Sequence, residues 1–215
     1  MIWLRGWLNS SPPHLRPDAS TLSPQNPSSN PPHTTLVRDA EDADIPEIQR
    51  IYAEHVLTGL ASFEELPPDA AEMAKRMHDT QARNLPYLVS THADAKGSEK
   101  IRGFAYASLF RARSAYRYTI EDSVYVAGDA IGQGHGSALL GALIDRCTAL
   151  GYRQMIAVIG DTANAASIGL HSHLGFQETG SMPAVGFKFG RWVDSVRMQR
   201  ALGSGSSTLP DDYKS

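Results

Sequence analysis

Cysteine is almost missing from this chain. Cys147 stands alone, so no disulfide can form within the chain, and a reducing cytoplasm is the expected compartment. Long apolar runs are missing too. No stretch approaches the roughly 20 residues that a membrane helix needs, and Met1-Ile2-Trp3-Leu4-Arg5-Gly6-Trp7-Leu8 is too short for a signal h-region. There is no excess of positive charge. The 20 Lys and Arg residues fall short of 23 Asp and Glu, which gives no reason to expect nucleic acid as a partner. The histidines do not fall at metal-ligand spacing, so no metal is expected.

What is present divides into three parts. Residues 1–34 are dominated by Pro, Ser, Asn and His, a composition that cannot offset chain entropy by burial, and are expected to be a disordered extension. Residues 203–215 read as a flexible Gly/Ser-containing tail. Residues 35–202 remain as one folded domain. Within it, Leu36-Val37-Arg38 is a short strand. Asp44-Ile45-Pro46-Glu47 reads as a helix start with Asp44 as N-cap and Glu47 in the capping-box position. The stripe Ile48, Ile51, Tyr52, Val56 carries that helix to about Leu57. Pro67-Pro68-Asp69 opens a second helix with Met73 and Met77 on one face. Strands follow at 87–89, 101–110 and 116–126, with a polar turn at 94–98. A central helix runs over 137–149, its face marked by Leu139, Leu143 and Cys147, and Gly151 ends it. Cys147 on that apolar face reads as core, not as a nucleophile. The run 154–159 has the look of a strand buried on both faces. A short helix over 164–173 and strands near 176–179 and 193–198 complete the order β-α-α-β-β-β-α-β-α-β-β. The fold class is α/β, a mixed sheet flanked by helices.

The organising stretch is Val124-Tyr125-Val126, a turn, and then Ile131-Gly132-Gln133-Gly134-His135-Gly136-Ser137. Glycines at a strand-to-helix junction allow unusual φ values and close approach, and unpaired N–H groups at a helix start suit a phosphate. No lysine follows, so this is not a P-loop. Nor is there an acidic residue about twenty positions on for a dinucleotide fingerprint. The stretch resembles the pyrophosphate loop of the GNAT N-acetyltransferases, Q/R-x-x-G-x-G/A. Gly134 and Gly136 match, whereas Ile131 stands at the Gln/Arg position.

A second motif, Asn164-Ala165-Ala166-Ser167-Ile168-Gly169-Leu170-His171, puts Asn164, Ser167 and His171 on one helix face. It resembles the family pattern N-x-x-A/S-x-x-L/F-Y/H, in which Asn contacts the pantetheine arm and Tyr or His lies near the departing sulfur. A third, Arg111-Ala112-Arg113-Ser114-Ala115-Tyr116 through Thr119, Glu121 and Val124-Tyr125-Val126, is similar to the phosphinothricin and methionine sulfoximine acetyltransferases, as are Ser62-Phe63-Glu64 and Gly186-Phe187-Lys188. Phe189 and Val193 stand where that family often has His.

The resemblance implies a GNAT fold, acetyl-CoA as co-substrate, a homodimer, and cofactor contacts at Val124, Tyr125, Val126, Gly132, Gln133, Gly134, His135, Gly136, Ser137, Asn164 and Ser167. An amino acid's amine is mostly protonated at pH 7, so a base is required, and Glu121 is the candidate. Asp122 is expected on the opposite face of its strand. Backbone N–H groups near 124–126 could stabilise the developing oxyanion, and His171 is the candidate hydrogen-bond donor to the leaving thiolate. Arg111 and Arg113 are candidates for the substrate carboxylate, with Phe63, Glu64, Ser114, Ala115 and Tyr116 around it. The expected reaction is direct acetyl transfer to a small amino-acid analogue of the phosphinothricin, methionine sulfoximine or methionine sulfone type. A peptide or protein amine is the alternative acceptor. A non-catalytic acyl-CoA sensor is the alternative from another class, and the presence of both Glu121 and His171 argues against it.

Overall fold

The computed structural model describes residues 35–93 and 98–210. The extension over 1–34, most of the expected 94–98 turn and residues 211–215 lie outside the described residues. The chain divides into two units, Met1–Pro32 and His33–Ser215, and the described elements belong to the second.

The elements are β1 (Thr35–Asp39), α1 (Ile45–Thr58), α2 (Ala70–Gln81), β2 (Tyr87–Ala93), β3 (Glu99–Leu109), β4 (Thr119–Val126), α3 (His135–Ala149), β5 (Gln154–Gly160), α4 (Ala165–His173), β6 (Gln177–Lys188) and β7 (Arg191–Ala201). The order is the expected one. They form one seven-stranded sheet, β1-β2-β3-β4-β5-β7-β6. Every pairing is antiparallel except β4 with β5.

Alternation along the strands splits the core in two. Leu88, Ala105, Ile120, Met155 and Ala157 pack beneath α3, whose Leu139, Leu140, Leu143 and Cys147 are fully buried. The intervening residues Tyr87, Val89, Phe104 and Tyr125 face α1 and α2, meeting Ile48, Ile51, Met73 and Met77. Each such aliphatic side chain contributes roughly 1.5–3 kcal/mol on burial. Gly151 (φ 87°) ends α3, its N–H donating to Thr148 O.

Several local expectations are corrected. Asp44 precedes α1 but does not cap it: its carboxylate accepts both Arg38 guanidinium nitrogens, at 2.7 and 2.9 Å, and the Glu41 N–H. Glu47 pairs with Arg50 instead of closing a capping box. The expected strand 116–126 begins only at Thr119, because Ser114–Tyr116 form a 3-10 turn. Strand β5 is not buried on both faces throughout, since Val158 is 41% exposed. The last two strands are far longer than the expected 176–179 and 193–198. An edge strand tolerates the register shift at Glu178/Gly180 and a second one between Met182 and Gly186, within which Pro183 falls. Part of the expected tail folds back in turns, with Arg153 donating to Thr208 Oγ1 and Leu209 O.

Candidate active site

Strands β4 and β5 pair only from Thr119↔Gln154 to Asp122↔Ala157. Beyond that register they part, and residues 123–126 lose their β5 neighbour. A cleft of about 320 Å³ opens at this splay, lined from β4 by residues 121–125, from β5 by 157–160, from α4 by Asn164, Ser167 and His171, and also by Phe63 and Tyr106.

Glu121 is half-buried in the cleft, on the strand face that carries Ser123 and Tyr125. Burial pushes its carboxyl above the usual carboxylate range, and the neighbouring Asp122 charge adds to the shift. Tyr106 lies opposite Ser123 on β3, and burial pushes its hydroxyl above the usual tyrosine value. The Tyr125 ring is packed against Tyr52 and Phe104, with centroids at 5.0 and 5.1 Å. The Val126 carbonyl faces His55 Nε2 at 2.8 Å.

The glycine loop stands at the end of β4. Gly132 (φ 78°) and Gly134 (φ 89°) take left-handed backbone that a side chain rarely adopts, and the space around each is open. No side chain caps α3, so its first N–H groups have no intrahelical partner and face an uncovered turn. An anion fits this cradle. Gly136 has a different reason to be glycine: a Cβ there would come within 3.2 Å of Leu170 Cδ2, so it sets the approach of α4 to α3. His135 turns its ring into the interior, 2% exposed, where burial and then Arg102 and His92 push it toward the neutral form. The Gln133 side chain donates to Asp129 O at 2.7 Å. What His135 and Gln133 offer a ligand is main chain. Ser137 is exposed on the first turn of α3, as is Ile131 on the loop.

Asn164 is the N-cap of α4, its Oδ1 accepting from Ser167 N at 3.1 Å. His171 is engaged at both ring nitrogens. Its Nδ1 faces the Ser167 carbonyl at 2.7 Å and its Nε2 faces Asp122 Oδ2 at 3.0 Å, so no ring N–H is left over for a leaving thiolate. Burial opposes the charged ring, but the Asp122 bond and charge outweigh it and raise the pKa above the usual histidine value. Asp122 does lie on the face opposite Glu121, as alternation requires, yet it still lines the cleft from that side. Sequence alone could not pair it with His171, because the two lie 49 positions apart.

Of the residues expected around the acceptor, Phe63 lies between Gly160 and Gly186, where a Cβ on either would press into its ring. The preceding loop is held by Lys188, itself 2% exposed, whose Nζ donates to Gly59 O (3.0 Å) and Ser62 O (2.7 Å). Glu64 is not in the cleft. It accepts from Arg76 Nη1 (2.7 Å) and the Tyr52 hydroxyl (3.1 Å). Arg111, Arg113, Ser114 and Ala115 are exposed on the β3–β4 connection, with Tyr116 partly buried beside them. None of these five lines the cleft. Arg111 sits over the Phe110 and Tyr116 rings at 5.2 and 5.7 Å. Phe189 and Val193 stand clear of the cleft as well. Phe189 (φ 51°) and Gly190 form the β6–β7 turn, and Val193 is buried on β7. Among the described residues no group of His, Cys, Asp and Glu could hold a metal.

The fold is shared with known proteins. Residues 37–197 match the family model described as an acetyltransferase (GNAT) domain. The chain is 54% identical to a phosphinothricin N-acetyltransferase of Alcaligenes faecalis over 175 residues, 81% of this chain and 86% of that one. It is 45% identical to the L-methionine sulfoximine/L-methionine sulfone acetyltransferase of Pseudomonas aeruginosa over 167 residues, 77% of this chain and 94% of that one. Its fold superposes with a TM-score of 0.77 on a GNAT superfamily phosphinothricin acetyltransferase from Sinorhizobium meliloti solved in complex with AcCoA. The two are 50% identical, covering 83% of this chain and 94% of that one. The chain therefore belongs to the GNAT family of acetyl-CoA-dependent N-acetyltransferases.

Proposed function

We propose that this enzyme acetylates the α-amine of a small amino-acid analogue of the phosphinothricin or methionine sulfoximine type, with Glu121 as base. The observation that carries this reading is a half-buried carboxylate of raised pKa at the mouth of the β4–β5 splay, facing the same side as Phe63 and Tyr106. A carboxylate so placed takes a proton from an ammonium more readily than an exposed one. The relatives named for these two substrates supply the substrate class.

Acetyl-CoA supplies an activated acetyl group as a thioester. The Gly132–Gly134 turn and the first N–H groups of α3 would hold its pyrophosphate, and Asn164 and Ser167 would face its arm. Glu121 accepts the amine proton, directly or through water, as the amine nitrogen forms its bond to the acetyl carbon and the carbon–sulfur bond breaks. The sulfur leaves with the electron pair and is protonated from solvent. Main chain at 124–126, free of β5 on one edge, provides donors for the carbonyl oxygen as charge builds there. No acyl-enzyme is needed, and Cys147 is buried in the core.

The active unit of this reading is residues 35–202, in the cytoplasm, as a homodimer. Val185, Phe187, Phe189 and Trp192, each more than half exposed on the β6–β7 hairpin, form an apolar face that a second copy would cover. Sedimentation of the purified protein tests the dimer. The substrate is tested by thiol release from acetyl-CoA with phosphinothricin, methionine sulfoximine, methionine sulfone, free amino acids and a short peptide. Turnover of one of the analogues well above the rest supports the reading. Turnover of the peptide alone overturns it.

A further inference from the structure

Two charged groups in the cleft are not consumed by the transfer. Asp122 and His171 meet where β4 and β5 part. Helix α4 is nine residues long and exposed along Ala165, Ala166, Gly169 and Ser172; a helix that short does not hold itself together. Yet Asn164 and Ser167 reach the cleft from this helix alone. Its bond to β4 is His171 Nε2 to Asp122 Oδ2, with side chains 5% and 2% exposed. The other ring nitrogen faces the Ser167 carbonyl at 2.7 Å. A carbonyl and a carboxylate both only accept, so both contacts are hydrogen bonds only when the ring carries a hydrogen on each nitrogen; a neutral imidazole satisfies one of them and leaves Nδ1 or Nε2 as an acceptor, with the Ser167 hydroxyl 3.4 Å from Nδ1.

The surroundings favour that charge. No lysine or arginine ion-pairs with Asp122 among the described residues, and from α3 only the Cys147 thiol carries a titratable group near it. Glu121, the next residue of β4, adds negative charge from the opposite face. Beyond the C-terminal end of α4, Arg200 on β7 donates to the Leu174 carbonyl. The Phe176 ring meets the imidazole edge-on at 5.0 Å.

We propose that Asp122 is a positioning residue of the acetyl-CoA site: by keeping His171 doubly protonated it clamps α4 to β4 and sets the width of the gap that Asn164 and Ser167 line. The proposal rests on reading this cleft as the acetyl-CoA site. It assigns His171 a cross-linking part in place of proton donation to sulfur.

The test combines nitrogen-15 NMR of the histidine rings with calorimetric titration by CoA, which binds without turnover, on wild type and Asp122→Asn. At pH 7.5 the wild-type His171 ring shows both nitrogens protonated and Asp122→Asn shows a neutral ring. CoA binds the variant about tenfold more weakly, and KM for acetyl-CoA rises in proportion while KM for the amine stays within twofold. A neutral His171 ring in the wild type overturns the proposal, as does a CoA Kd within twofold of wild type in a variant whose ring has lost its proton. Should Asp122→Asn not fold, the wild-type pH series decides. CoA affinity must fall in step with loss of the ring proton, and a Kd that stays level through that titration refutes the clamp. Failure of the wild type to bind CoA at all would instead sink the functional reading, while the ring signals still report the protonation state.

Discussion

Replacing Lys188 by methionine keeps the length of a side chain that is 2% exposed and removes its ammonium. Two carbonyls lose their donor, Ser62 O in a buried setting and Gly59 O in a part-buried one. The Gly59 oxygen can turn to water, whereas the Ser62 oxygen is left without a partner, at a cost of about 1–3 kcal/mol. Against this, burial already pushes the Lys188 pKa down, partly offset by Glu65 and Glu64, so removing the charge recovers some desolvation cost. The net loss is therefore on the order of 1–2 kcal/mol, or roughly 2–8 °C in Tm for a domain of this size. The functional effect is directional. Lys188 anchors the loop that carries Phe63, on the acceptor side, and touches nothing in the glycine cradle. KM for the amine should therefore rise about tenfold, equivalent to ~1.4 kcal/mol, while KM for acetyl-CoA holds within twofold. Steady-state kinetics with each substrate varied, beside thermal melts, measure both. An unchanged amine KM with a raised acetyl-CoA KM would refute the assignment of this loop to the acceptor.

Three further outcomes follow from the buried groups. Burial, with the Asp122 charge, pushes the Cys147 thiol up to about 12, so iodoacetamide at pH 8 should leave it unlabelled in the folded enzyme and alkylate it in denaturant; labelling of folded protein would contradict the core assignment. The His171 pKa is raised on folding, so its contribution to stability is full below its unfolded pKa, about 6.5, and is lost as pH rises through the folded value. The Tm gap between wild type and His171→Gln should accordingly narrow with rising pH, and a gap that widens reverses the sign. The Glu121 carboxyl is also raised, but by desolvation, so its charged form costs stability above that pKa. Glu121→Gln should melt higher than wild type at pH 7.5 while losing activity, and a lower Tm would count against a desolvated base.

Much of the fold was legible because it rests on local pattern. Alternation of Phe104 with Ala105 and of Ile120 with Glu121, and helical stripes such as Ile48-Ile51-Tyr52, follow directly from strand and helix geometry. What stayed hidden depends on contacts between distant residues. Asp44 looks like an N-cap in sequence, but Arg38 offers two charge-assisted bonds that outweigh a cap. Gly180, Pro183 and Gly186 look like strand breakers, yet β6 is an edge strand and Gly186 makes room for Phe63. Of the residues lining the cleft, Glu121, Asn164 and Ser167 were readable from motif and helical spacing. The engagement of both His171 nitrogens was not, since it depends on a carboxylate on another strand. The Arg111–Tyr116 segment shows the converse. Its residue types suit a carboxylate, but the 3-10 turn at Ser114 leaves it on an exposed connection away from the cleft.

Glu121, in the β4–β5 cleft, is the proposed base for the acceptor amine. The most direct measurement is the pH profile of kcat/KM for the best amine in the panel, for wild type and Glu121→Gln. In wild type the rate should rise through an acidic limb set by a carboxyl above its ordinary value. In the variant that limb should vanish and the rate drop by about 10²–10⁴-fold. A variant that retains both the limb and a rate within tenfold of wild type would contradict the account.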